Sequence, residues 1–262
     1  TYKWLNSVEQ IEQNKVGVVT GTNAIYVLSP FQQATANTYD VTYFEGYPFD
    51  VSIYLNTPGI VTILNQTNAL SYNFTLPDTV NRLFFSDGRL TITLADYLPL
   101  VDGLNALKIT SGTDIININV TKRPSIDGHY LKWINQYGGW SYWLFNCIHK
   151  RARKTKSLGS VFSGFDNVAS TTSFTKSLGI QSNDILTLIA DDVDTDDQAV
   201  LNQLTESPKV YFFTGTRLTQ VNPVSWLSVD IKNMTTNIIN YKDTKMKYKL
   251  NIELPERYTM KL

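Results

Sequence analysis

Two histidines, one cysteine, five aspartates within seven residues and one dense basic run are the groups in this 262-residue chain whose types and spacing could do chemistry. A hydrolytic nucleophile needs a base beside it, so only His129 and His149 could activate a serine or Cys147. Cys147 and His149 stand two residues apart at the end of an apolar run, with no third partner in the pattern. No Gly-x-Ser-x-Gly turn surrounds any serine. A lone cysteine in such a run reads as a small core residue. Zinc needs three or four ligands, more than Cys147 and His149 supply. Glycine loops of the phosphate-binding types do not occur. Carboxylates paired in space, as in glycosidases, have no fixed spacing in sequence, and no positive sign of them stands out. The expectation is a non-enzymatic protein with no cofactor and no resident metal.

The remaining polar clusters suit binding better than catalysis. In Asp191-Asp-Val-Asp-Thr-Asp-Asp197, the residues Asp192, Asp194 and Asp196 have the alternate spacing of the first ligands of a calcium loop. Asp197, however, occupies the position that needs glycine, and Gln203 the one that needs a bidentate glutamate. Acidic residues gathered at a helix N-terminus are the simpler reading. His149-Lys-Arg-Ala-Arg-Lys-Thr-Lys156 reads first as a solvated loop; if it has a function, Arg151, Arg153 and Lys154 would meet the acidic loop of a neighbouring copy, through Asp192 and Asp194. Trp133, Trp140 and Trp143 crowd one hairpin. Core packing or burial between subunits is the default for such residues, and an aromatic platform for sugar rings is the alternative.

Composition bounds these readings. The chain has 23 Lys and Arg against 23 Asp and Glu, and 42% hydrophobic residues. Disorder is excluded, because it needs high net charge or few large apolar residues. Zero net charge argues against a general nucleic-acid or anionic-membrane binder. One cysteine allows no intramolecular disulfide. No apolar run approaches the roughly 18 to 20 residues of a membrane span, and the opening residues do not show the basic segment and apolar stretch expected of a signal peptide.

The elements that must position these groups are strands. Period-two alternation recurs in Phe49–Leu55, Leu70–Leu76, Leu90–Leu94 and Ile116–Val120, with shorter candidates at Val16–Thr20, Ala24–Leu28, Tyr39–Phe44, Ile60–Leu64 and Ala106–Thr110. In Leu70–Leu76 the residues Leu70, Tyr72, Phe74 and Leu76 form the dry face. Turn residues punctuate these runs about every ten positions, which indicates antiparallel sheets. Thr121–Gly128, with two charges, a proline and a glycine, is the expected linker. Two apolar runs around Asn135-Gln-Tyr-Gly-Gly139 read as a hairpin whose second strand, Trp140–Phe145, has no wet face. Residues 157–182 read as a long loop with an edge strand, carrying Lys-Ser-Leu-Gly twice. One helix is expected at about 196–206, followed by strands at Val210–Phe213, Trp226–Ile231, Thr236–Ile239 and Met246–Leu254. The fold class is thus mainly β: two antiparallel β-sandwich-like domains, 1–121 and 122–262, the second with one short helix.

The run Tyr130-Leu-Lys-Trp-Ile-Asn-Gln-Tyr-Gly-Gly-Trp-Ser-Tyr-Trp-Leu-Phe145 resembles a hairpin that opens a β-domain in structural proteins of tailed bacteriophages, especially those of Bacteroidetes hosts. Leu204–Tyr211, Trp226–Ile231 and the Lys-rich strand ending at Leu254-Pro255 are similar too, so the resemblance covers roughly the last 130 residues. It implies a non-enzymatic virion component of the tail, neck or baseplate, assembled in the host cytoplasm as a ring of copies beside other tail or neck proteins. It carries over no functional residues. The alternative from the residues themselves is a carbohydrate-binding β-sandwich module that uses the Trp cluster.

Overall fold

The computed structural model describes residues 25–28, 38–86, 93–124, 127–147, 149–162, 175–216, 225–231, 246–255 and 257–261. The strands expected at Val16–Thr20 and Thr236–Ile239 lie outside them. Among the described residues the protein is mainly β, with two helices.

The N-terminal half packs a three-stranded sheet against a five-stranded one. The first joins β1 (Ile25–Val27), β3 (Phe49–Leu55) and β6 (Val80–Ser86) in the order β1-β3-β6. The second contains β2 (Thr38–Phe44), β4 (Gly59–Asn65), β5 (Leu70–Leu76), β7 (Gly103–Ser111) and β8 (Asp114–Arg123), in the order β2-β8-β7-β4-β5. Alternation works as expected in β4, where Val61 and Ile63 are buried, and in β8, where Ile116, Ile118 and Val120 are. β2 and β8 pair in parallel, an exception to the antiparallel expectation. β5 is a second departure: it is an edge strand, and its supposed dry face leaves Leu70 42% and Tyr72 39% exposed. A third is Leu94, which begins the one-turn helix α1 (Leu94–Tyr97), where Asp96 accepts from the backbone N–H and hydroxyl of Thr93.

The C-terminal half is one curled sheet. β9 (His129–Ile134) and β10 (Trp140–Phe145) form the expected hairpin, with Trp140 opposite Ile134. The Asn135 side chain shapes its loop, accepting from the N–H groups of Tyr137 and Gly139 and donating to the Leu28 carbonyl. The sheet continues from β9 through β15 (Val210–Phe213), β16 (Trp226–Ile231), β17 (Met246–Glu253) and β14 (Gly179–Val193) to β11 (Lys150–Ser157), with β18 (Arg257–Lys261) also paired to β14. After β10 the Cys147 N–H donates to the Ile189 carbonyl of β14, and β11 then pairs along β14. The two ends of the strand order, β10 and β11, thus both come to lie against β14. The helix α2 (Thr195–Glu206) covers it with Leu201 and Leu204.

The expected loop at 157–182 is a hairpin at both described ends. β12 (Ser160–Phe162) pairs with β13 (Thr175–Ser177), in register with β11 and β14 below. The two Lys-Ser-Leu-Gly copies face each other: the Leu158 N–H donates to Gly179, and the Leu178 N–H to Gly159. Both glycines have positive φ, 112° and 146°, which a side chain rarely adopts.

β8 runs to Arg123, two residues past the expected boundary, and a single hydrophobic core spans both halves. The Tyr130 hydroxyl donates to the Pro48 carbonyl at 2.8 Å, and its ring packs on Tyr47. The turn after β9 shares in this contact, because a Cβ on Gly139 would lie 2.0 Å from the Leu28 carbonyl oxygen. Gly139→Ala must push the β1 end away from the hairpin. It is expected to destabilise by about 3 kcal/mol, seen as a drop in Tm of about 6–12 °C.

Candidate functional site

Trp133 and Trp143 are 0% and 3% exposed, so neither offers a ring face to a subunit or a sugar. They correct the expectation that the Trp cluster forms an interface: a strand with two dry faces is here enclosed by its own chain. Trp143 packs edge-on to Phe44 at 5.3 Å and lies under the Arg123 guanidinium. Trp140 alone is half-buried, beside Tyr211 and the Lys132 ammonium, which also lies 4.0 Å from the Trp226 ring.

A cavity of about 200 Å³ opens where β2, β3, β10 and the start of α2 meet. Four carboxylates line it, and each is engaged within the chain. Asp50 is buried and accepts from Arg82 and from the Tyr142 hydroxyl. Burial, then the Asp50 charge, pushes the Tyr142 hydroxyl well above its ordinary value, so it stays protonated and donates. Asp40 accepts from Asn119 at 2.8 Å. Asp194 is the N-cap of α2, accepting from the Asp197 N–H, as the helix-cap reading expects. Asp197 pairs with Arg123 at 2.8 Å, while burial still raises its pKa. Asp191 pairs with Lys247, and the side chains of Asp192 and Asp196 lie outside the described residues. Among the described residues no group of three or more His, Cys, Asp and Glu side chains could hold a metal ion.

The two histidines meet, with ring centroids 4.1 Å apart. Burial, helped by His149, pushes His129 down to about 4, so it is neutral at pH 7. Burial and Asp191 push the Cys147 thiol up, away from the reactive thiolate.

The basic run is a strand, not a loop. All residues from Lys150 to Phe162 are exposed. Asp184, opposite Arg153 in the ladder, accepts from both Arg151 and Arg153 and is itself buried beneath them. Two of the three basic residues expected to reach a neighbour are therefore tied to the chain's own carboxylate, though both remain exposed, and Lys154 lies beyond the clamp. The hairpin from Lys154 to Phe162, an arm about 30 Å long at ~3.4 Å per residue, leaves Leu158, Val161, Phe162, Leu178 and Ile180 exposed. Sequence reading missed this arm, although the doubled Lys-Ser-Leu-Gly marked the place where its two strands face each other.

No protein-family model and no curated protein matches the chain. Among solved structures, a marsupial T cell receptor is similar at 8% identity over 84% of each chain, with a TM-score of 0.21, too low to carry an argument. No helix among the described residues is long and apolar enough to cross a membrane.

The Asp184 clamp makes a pH prediction. Hydrogen bonds from Arg153 and then Arg151 hold its carboxyl far below the ordinary range. A depressed acid stabilises the fold above its unfolded pKa of about 4, and the contribution is lost as pH falls toward the folded value. The protection factors of the β11 amides, which correct for the slower intrinsic exchange in acid, are expected to hold steady at pH 5–7 and to fall once the pH drops below about 4. Asp184→Asn should show the faster exchange already at pH 7; unchanged protection would show that the clamp does not hold the arm.

Proposed function

We propose that the protein is a non-enzymatic virion structural protein, a subunit of an oligomeric ring in the tail, neck or baseplate of a tailed bacteriophage, assembled in the host bacterial cytoplasm. The exposed arm is the observation that carries the oligomeric part of this reading. β18 widens only the base of the arm, along Gly179–Ser182. Its outer part, β12 and β13, is two-stranded among the described residues, which is marginal in water unless a third element covers it, and the exposed Leu158, Val161, Phe162 and Leu178 there mark a surface for a partner. The phage assignment rests on the sequence likeness of 130–145, 204–211, 226–231 and 246–255 to tail structural proteins. In the fold, those segments form strands and helix ends around the shared core, consistent with an architectural motif.

The carbohydrate-binding alternative has less to stand on, because Trp133 and Trp143 are enclosed and the carboxylates of the cavity are engaged with the chain's own side chains and helix end. Size-exclusion chromatography with light scattering at several concentrations, with negative-stain images, tests the proposal. The expected result is a discrete oligomer with ring views. A monodisperse monomer at every concentration would overturn it, and Trp fluorescence that responds to glycans would decide for the alternative.

A further inference from the structure

Two exposed apolar patches lie in different halves of the chain. One is the arm. The other is the open edge of the five-stranded sheet at β5, where the core stops one strand short. The cross-strand partners of Phe74 and Tyr72 are Val61 and Ile63, both fully buried, whereas Tyr72 and Leu70 stand open. Tyr97 of α1 stacks on Tyr72 with centroids 3.9 Å apart, widening the ledge, and the exposed Asp96 lies next to it in α1. Natural sheets usually blunt such an edge with charge, proline or a covering element; Leu70–Leu76 carries no charge and no proline, and among the described residues no strand pairs its outer edge.

Charge chooses between the ways in which copies could meet. Residues 1–123 carry 7 Lys and Arg against 10 Asp and Glu, and residues 124–262 carry 16 against 13, so the halves are at −3 and +3. Pairing β11 with β11 across a two-fold axis would bring five cations against five, which is destabilising. Meeting the acidic half of another copy is favourable. Such a contact is heterologous, the type that builds closed rings or open filaments.

We propose that the arm of one copy docks on the β5 edge of the next, Val161 and Leu178 covering Leu70 and Tyr72, with the basic C-terminal half brought against the acidic N-terminal half. This rests on the reading of the protein as a ring subunit and names the contact that builds the ring. The apolar part supplies affinity and the charges supply direction, so the contact weakens with salt but survives it.

Cysteine cross-linking in a Cys147→Ser background tests it. Val161→Cys and Leu70→Cys variants are oxidised separately and as a mixture, and oligomeric state is read by light scattering alongside. Covalent dimers are expected in the mixture and in neither variant alone, and the double variant should give a ladder of covalent oligomers. Val161→Asp and Leu70→Asp, each at an exposed position, should weaken association at least tenfold with an unchanged circular dichroism spectrum. Cross-linking of Val161→Cys with itself would show an arm-to-arm contact and overturn the proposal. No cross-link and no weakening in a protein that still forms oligomers would also overturn it while leaving the ring reading intact. A protein that is monomeric at every concentration would overturn both.

Discussion

The structure depends on one strand that has no wet face. Trp140–Phe145 places four buried large side chains in a row, Tyr142 to Phe145, so both of its sides must be covered. The C-terminal sheet supplies part of that cover through Tyr130 and Trp226. The N-terminal half supplies the rest: Phe44 packs on Trp143, and Phe49 packs on Tyr142. Each fully buried side chain of this size contributes about 1.5–3 kcal/mol, which is lost if the halves separate. Asp50 of β3 is held from both sides, by Arg82 within its own sheet and by the Tyr142 hydroxyl across the seam. The two halves therefore behave as one body, and the cavity between them is a by-product of polar stapling more than a vacant site.

That rigidity is what lets the arm project. β14 is fifteen residues long because it serves two purposes: its C-terminal part closes the curled sheet against β17, and its N-terminal part carries β11 outward. Asp184 sits where the two duties meet, one residue before the pairing with β17 begins, and its two guanidinium partners fix β11 to β14 at that point. β18 lies along Gly179–Ser182 on the other side, so this stretch of the arm is three strands wide.

The features legible in sequence were those set by neighbours along the chain. Acidic residues gathered at the start of the expected helix fitted its N-terminus, where Asp194 is the cap, and two apolar runs around Asn135–Gly139 announced the hairpin. The alternating Tyr248, Leu250 and Ile252 announced β17, and all three are buried. What failed depended on partners distant in sequence. Alternation in Leu70–Leu76 identifies a face but not whether another layer covers it, and β5 lies beyond the cover. Lys150–Lys156 has no apolar alternation at all; it is a strand because β14 pairs with it and Asp184 binds two of its guanidinium groups. The Trp cluster was ambiguous for the same reason, since two dry faces fit an enclosed strand and a subunit contact equally.

The zero net charge has a different meaning once the fold divides it. A chain that is neutral throughout has no electrostatic preference in how copies meet, but one split into −3 and +3 halves prefers head to tail and resists both head-to-head and tail-to-tail contact. The segregation does not arise from the stability of either half, because its main basic element, β11, is fully exposed and three of its five cations lie outside the Asp184 clamp. Exposed lysines on an edge strand also keep that edge from pairing indiscriminately. Apolar side chains placed just beyond those lysines are then shielded from like-charged arms and open to a surface of opposite sign. The same residues that keep exposed edges from pairing would thus set the direction of the proposed head-to-tail contact.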